Sequence, residues 1–363
     1  MKRYLFLLLI LSVILGCPEI MTAQQTKILT GEKFNEYGLV YTLPKTAVSI
    51  TVTARKQTFK AGKFYKYAKK FLGTDRVITE NSEKWEILSV EATPFGIADS
   101  STQYLMQLKP GVTTFIGVGS DGMILSINAD PTPSAVPEPK YSITADPAIN
   151  ADAYLDYVTE DFLASQSTSR QAQMLSEALL ETRETRMAIA AGTADNMPSD
   201  GKQMELMLAS LSAKEKALTE AFTGVSYTQT ATKSFSFTPS REGKETLFRL
   251  SDFAGFVEAN DYSGAPVYVS TKILRRGQLP LDANGEEKKF PKDGVVYAIP
   301  GTASITISFQ GENLWSREMD VAQFGTTFAL NPALFTAKKN PSYAIFSDIT
   351  GGLVEIGNTT TQQ

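Results

Sequence analysis

Four stretches carry residue types whose spacing could do chemistry. Ser199-Asp200-Gly201-Lys202 reproduces the Ser-x-x-Lys of penicillin-binding enzymes, where the serine is an acyl-transfer nucleophile. The companion Ser-Asp-Asn and Lys-Thr-Gly elements are missing, so the match reads as chance in a chain with many Ser and Lys. Gly117-Val118-Gly119-Ser120-Asp121-Gly122 spells the dinucleotide fingerprint, which needs a helix next, because the helix N-terminus holds the pyrophosphate. Here Met123-Ile124-Leu125-Ser126-Ile127 follows, a strand, and Asp-Gly between apolar runs is a hairpin turn. The nucleotide site is therefore rejected. Asp195, Asn196 and Asp200 offer oxygens to calcium, but not at the spacing of a calcium loop. Two carboxylates would serve a glycosidase if the fold brought them together, and the sequence singles out no pair.

Absences narrow the chemistry further. The chain has no histidine, and its one cysteine, Cys17, lies in an N-terminal leader. Ser-His-Asp and Cys-His catalysis, zinc sites built on His and Cys, and structural disulfides are thereby excluded. No catalytic residue, cofactor or metal ligand is implied. A net charge of -4 with no strongly basic block argues against nucleic acid as a general partner.

Two basic stretches have competing readings. Residues 56–70 mix Lys with Phe59, Phe64, Tyr65 and Tyr67, a pattern that could stack on sugars or bases. The preferred reading packs the aromatics and solvates the lysines. Arg183 and Arg186 could form an anion clamp; ion pairs within the helix are preferred.

The element that must position everything else occurs twice. Gly38-Leu39-Val40-Tyr41-Thr42-Leu43-Pro44-Lys45-Thr46-Ala47-Val48-Ser49-Ile50-Thr51-Val52 returns as Gly294-Val295-Val296-Tyr297-Ala298-Ile299-Pro300-Gly301-Thr302-Ala303-Ser304-Ile305-Thr306-Ile307, with Val48 missing from the second copy. A match of this length reads as an internal duplication. Leu39, Tyr41 and Leu43 alternate like a half-buried strand, and so do Val48, Ile50 and Val52. Pro44 and Pro300 lack an N–H and are expected to stop the first strand, so each copy is expected to be a hairpin seeding its own sheet. The lost residue must then fall in a turn or bulge, because a slip within a strand flips its faces. Phe115-Ile116-Gly117-Val118 with Met123-Ile124-Leu125-Ser126-Ile127 is expected to match Tyr343-Ala344-Ile345-Phe346 with Leu353-Val354-Glu355-Ile356, each pair a strand, a glycine turn and a strand.

Between the copies the β-pattern stops. Met174, Leu175, Ala178, Leu179 and Thr182 mark one face of a helix, and Met204, Leu208, Leu211, Leu218 and Phe222 mark another. Asp200 with Gln203 reads as an N-cap, and Gly224 stops the second helix. The connecting loop exposes Met197 and Pro198 between Asp195 and Asp200, and these four residues are the expected partner contact. The fold class is α+β, with two related β-rich, sandwich-like units joined by an antiparallel helical hairpin. The expected divisions are a signal peptide over 1–23, a β unit over 24–130, a Pro-rich linker over 131–144, the hairpin over 145–224, a second β unit over 225–357 and a disordered tail over 358–363.

Lys2 and Arg3 precede the apolar run from Tyr4 to Leu15, which is short for a membrane span and reads as an export signal. Cleavage before Cys17 would lipidate that residue and anchor the protein; cleavage before Gln24, after Met21-Thr22-Ala23, would not, and is slightly preferred. No later segment of the mature chain is apolar enough to span a bilayer.

Several motifs coincide with one family. Val40-Tyr41-Thr42-Leu43-Pro44-Lys45-Thr46, Tyr67-Ala68-Lys69-Lys70-Phe71-Leu72-Gly73, Arg183-Glu184-Thr185-Arg186, Met197-Pro198-Ser199-Asp200-Gly201 and residues 215–224 together resemble the Bacteroidetes envelope family called domain of unknown function 4831. The resemblance covers essentially the whole mature chain. It implies export to the periplasm or outer membrane of a Gram-negative bacterium and brings no catalytic residues. The expected function is non-enzymatic binding or scaffolding of an envelope protein or glycan; the alternative is a carboxylate-dependent hydrolase acting on glycan or peptidoglycan.

Overall fold

The computed structural model describes residues 38–358 except 107–113, 132, 146–149, 196, 198, 199, 292 and 337–339. The leader with Cys17, Pro198 and the tail beyond Asn358 lie outside the described residues.

The first copy of the repeat opens strand β1 (Leu39–Lys60), which pairs antiparallel with β2 (Ser82–Met106). From Val48 onward β1 also pairs with β6 (Val225–Phe237), and β5 (Tyr141–Ile143) adds to the outer side of β6. Part of the Pro-rich stretch thus becomes an edge strand. The second copy opens β10 (Val295–Phe309), which lies between β11 (Glu312–Leu330) and β9 (Ala265–Arg275). Strands β7 (Gly243–Ser251) and β8 (Gly255–Val257) complete that five-stranded sheet. A third sheet has the order β13-β12-β4-β3, formed by β3 (Ile116–Val118), β4 (Ile124–Ile127), β12 (Ser342–Phe346) and β13 (Leu353–Asn358). The protein is therefore a β-rich α+β fold built on antiparallel sheets. The glycine fingerprint is the β3–β4 turn, with Gly119 N–H donating to Met123 O at 2.8 Å.

One expectation is corrected. Pro44 and Pro300 do not end a strand; each lies inside one long strand, beside a bulge. Residues 99–102 of β2 lie opposite Leu43 alone, and residues 322–325 of β11 lie opposite Pro300 alone. A bulge of this size bends the strand and switches which residues face inward. Tyr41 and Leu43 face one core, while Val48, Ile50, Val52 and Ala54 face another. That switch from odd to even positions is what resembles a turn in the sequence. The deletion of Val48 is absorbed at the same bend: beyond it, Ala303, Ile305 and Ile307 enter the same core as Val48, Ile50 and Val52. The copies match in one further detail. Thr42 N–H donates to Gly122 O at 2.9 Å, and Ala298 N–H donates to Gly351 O at 2.9 Å.

Both β cores draw on both copies. One is walled by the four- and five-stranded sheets, with Trp85 and Ile50 from the first and Phe248, Val267 and Ile305 from the second. The other joins Tyr41, Ile124 and Ile127 to Val296, Tyr297, Ala344 and Phe346. Strand β4 pairs with β12 across the duplication through Ala344 with Ile127 and Ile345 with Ser126.

The third core is helical. Helix α1 (Ala68–Leu72) sits in the β1–β2 connection, followed later by α2 (Glu160–Ala164), α3 (Thr168–Ala191) and α4 (Gly201–Thr223). Ser167 caps α3, and Asp200 caps α4 by accepting from Gln203 N–H at 2.8 Å. Gly224 ends α4 with its N–H on Glu220 O at 2.8 Å. Phe64, Tyr154, Phe162, Leu175, Leu179, Leu218 and Phe222 form the shared core. Burying Phe64 and Phe222 stabilises by about 1.5–3 kcal/mol each. Lys63, Lys66, Lys69 and Lys70 stay exposed, so the packing reading of residues 56–70 holds. Arg183 and Arg186 do form ion pairs, but between helices: both meet Glu215 of α4, each at 2.8 Å. The correction has a simple cause, since both arginines face α4 rather than a neighbour one turn away on α3.

Candidate functional site

Of the residues singled out from sequence, Asp195 and Met197 are exposed in the α3–α4 connection, and the Asp200 carboxylate is occupied by its cap. Pro198 and Cys17 lie outside the described residues. Among the described residues, no assembled site emerges around this connection. Two grooves elsewhere are better built.

The first lies at the bend of β10 and has a volume of about 670 Å³. Its walls are Tyr297, Ile299, Pro300 and Met319 on the second copy, with Ile349, Leu353 and Val354 opposite. Gly352, just before strand β13, bridges to Ala298 of β10; beyond it β13 borders the groove as the last strand of its sheet, with one row of backbone groups from Val354 to Gly357 having no ladder partner among the described residues, and Val354 is 67% exposed. The bend places Tyr297 at this groove. Its counterpart Tyr41 is clamped: the Tyr41 hydroxyl donates to Val296 O at 3.1 Å and accepts from Val296 N–H at 2.8 Å. Burial pushes the Tyr41 phenol well above the usual tyrosine range, against the Val296 hydrogen bond, which works the other way. Tyr297 is raised by burial as well. Asp320 is the one carboxylate in this lining, and it accepts from Thr302 Oγ1 at 3.0 Å.

A carboxylate with a lowered pKa sits in the matching bend of the first copy. Burial alone would raise the Asp99 carboxyl; hydrogen bonds from Ser101 and the Lys45 ammonium at 2.9 Å outweigh it and hold the group below its usual value. The arrangement is structural. Asp99 ties down the bulge, and its carbonyl accepts from Thr42 Oγ1 at 2.6 Å.

The second groove lies at the far end of β1, as two adjoining openings of about 440 and 350 Å³ that share Asp252. One is lined by Thr58, Phe59, Lys60, Asn81, Glu83 and Phe253, the other by Lys84, Trp85, Glu86, Ser263, Gln310 and Glu312. Sheet packing brings these turns together. Gly255, at φ +71, is needed beneath it, since a Cβ there would stand 2.9 Å from the Trp85 ring. Glu83 is paired with Lys56 and Glu86 with Arg55. Thr58 Oγ1 and Trp85 Nε1 are buried without a hydrogen-bond partner. Sequence reading touches this site only through Phe59 in the 56–70 stretch, where the sugar-stacking reading is set aside; the other lining residues are spread over further turns, among them Phe253 in the tight turn between β7 and β8.

The fold and grooves define a β-rich α+β protein of antiparallel sheets, with a bulge in each of two long strand pairs. A sequence model described as Domain of unknown function (DUF4831) matches residues 37–354, and the chain belongs to that family. No curated protein and no solved structure matches it. Among the described residues, no helix is long and apolar enough to cross a membrane.

Proposed function

We propose that this chain is a non-enzymatic binding or scaffolding protein of a Gram-negative cell envelope, exported by its N-terminal leader. We propose further that the groove at the β10 bend receives an extended segment of an envelope protein, which adds beside β13. The observation that carries the reading is a free strand edge bordering an apolar groove. Main-chain bonds to β13 would supply affinity, and the pockets around Tyr297, Pro300 and Ile349 would select side chains. A single lining carboxylate suits binding better than glycoside cleavage, which uses two acids flanking one bond. A photo-crosslinking residue at Val354, in cells, is expected to give one dominant envelope adduct that disappears with Tyr297→Ala. Adducts unaffected by that change would reject the groove.

In the finer architecture proposed here, two related β units are joined by α3 and α4 as an antiparallel pair. Support comes from the Leu175, Leu179, Leu218 and Phe222 contacts and the Arg183–Glu215–Arg186 bridge. The exposed Asp195 and Met197 make that connection a second contact surface. Membrane attachment through Cys17 is tested by Cys17→Ser, which releases the protein if that residue is lipidated. A mature N-terminus at Gln24 would reject the anchor.

The hydrolase reading belongs to the other groove, where Asp252 and Glu312 have no ion-pair partner among the described residues. Release of reducing ends from purified peptidoglycan, abolished by Asp252→Asn, would favour it over the binding reading.

A further inference from the structure

We propose that the groove at the far end of β1 is a binding site for a neutral glycan. Its floor holds two polar side chains without partners: Trp85, 8% exposed, and Thr58, 2% exposed. Leaving a buried donor unsatisfied costs about 1–3 kcal/mol; both atoms are closed off from solvent, so a ligand oxygen that opens the floor to reach the indole N–H or threonine hydroxyl recovers it. The rim adds groups that both donate and accept. Asn81 Oδ1 already accepts from Ala61 N–H at 2.9 Å, which leaves its amide hydrogens to donate, and Gln310 and Ser263 line the second opening. A sugar ring presents hydroxyls of the same double character. Phe253, 82% exposed at the lip, offers an aromatic face to the apolar side of such a ring.

Charge decides between ligand classes. Glu83 and Glu86 are already neutralised by Lys56 and Arg55. Among the described residues, the lining charges without ion-pair partners are Asp252 and Glu312 on one side and Lys60 and Lys84 on the other. They balance, so the groove carries no field that would collect a polyanion or a polycation. An extended peptide is the competing ligand class. Edges for a strand are present in β2 and β11, which contribute Ser82 to Ile87 and Glu312 with Leu314 to the lining. The unpartnered Trp85 and Thr58 and the exposed face of Phe253 nevertheless suit a sugar more than a strand, and the peptide control decides between them.

Trp85 makes the site its own reporter. The chain has two tryptophans, so Trp315→Phe leaves Trp85 as the sole indole. The mature chain is titrated with maltotriose, laminaritriose and tri-N-acetylchitotriose, with trigalacturonate as the anionic control and a neutral pentapeptide as the peptide control. Calorimetry on the unmodified chain repeats each titration in case Trp315→Phe perturbs folding. Saturable binding of at least one neutral trisaccharide is expected. Phe253→Ala and Asp252→Asn should weaken it at least fivefold without moving the melting temperature. Silence across the neutral sugars, binding of only trigalacturonate or the peptide, or unchanged affinity in Phe253→Ala overturns the proposal. The β10-bend groove is separate, so Phe253→Ala should leave the Val354 adduct intact; the two readings therefore fail independently.

Discussion

The two bends are the same device put to different uses. In the first copy the bulge is closed from within: Asp99 gathers Ser101 and Lys45, and Tyr41 spends its hydroxyl on the backbone of β10. In the second copy the bulge reaches outward. Gln323 holds both backbone groups of Thr46, accepting from its N–H at 2.9 Å and donating to its carbonyl at 2.8 Å, and Ala322 N–H donates to Thr46 Oγ1 at 3.0 Å. With its own copy fastened to the first in this way, Tyr297, 9% exposed, borders the groove without a hydroxyl clamp among the described residues. The same bulge can therefore leave one tyrosine clamped and its counterpart unclamped.

Substitutions can break that comparison. The largest effect is expected at Gly325→Ala, where a Cβ would stand 2.1 Å from Ile299 O and 2.9 Å from Pro300 Cα, both backbone atoms that cannot swing away. Overpacking of this kind costs about 1–3 kcal/mol or more, so chemical denaturation should find this variant the least stable of the set. An unchanged midpoint would mean the bend relaxes freely.

Next come the paired tyrosines. Tyr41→Phe strands the Val296 N–H and carbonyl in the core, and should cost about 1–3 kcal/mol. Tyr297→Phe removes no hydrogen bond among the described residues and should stay within about 0.5 kcal/mol of the parent. Equal losses in the two variants would erase the distinction between the copies.

A loss below that of Gly325→Ala and Tyr41→Phe is expected at Asp99→Asn, about 1–2 kcal/mol at neutral pH given the half-exposed Lys45. Because the folded carboxyl titrates below its unfolded value, its contribution is complete above the ordinary carboxylate pKa. It fades as pH falls through the lower, folded pKa. Melting curves of Asp99→Asn and the parent should therefore converge on acidification below about pH 4. A gap that persists at pH 2 would show that the ionised form is not what matters.

Local alternation made most of the strands legible. Ser234-Phe235-Ser236-Phe237 could be read as it stands in β6, and the nucleotide fingerprint could be dismissed because the apolar run Met123 to Ile127 follows Asp121-Gly122 as a strand and not a helix. The helix ends were legible through Asp200 and Gly224. The bulges were not, because their partner segments, Asp99-Ser100-Ser101-Thr102 and Ala322-Gln323-Phe324-Gly325, share no residue type that marks a bulge. A proline at a change of phase was read as a turn, when a bent strand changes phase just as a turn does. The β4–β12 pairing rests on few residues and long sequence separation, and leaves no local trace. The grooves were hidden for a related reason: Thr58, Trp85, Asp252 and Glu312 meet only once two sheets have packed.

The length of β1 gives the molecule a mechanical axis. Twenty-two residues at about 3.3 Å each make a continuous strand of about 70 Å, hydrogen-bonded to β2 from Leu39 to Phe59. A pull on residue 38 along that strand loads the ladder in shear, so its rungs share the force and must fail together. The bulge opposite Leu43 interrupts those rungs near the loaded end and marks where the strand would first begin to peel.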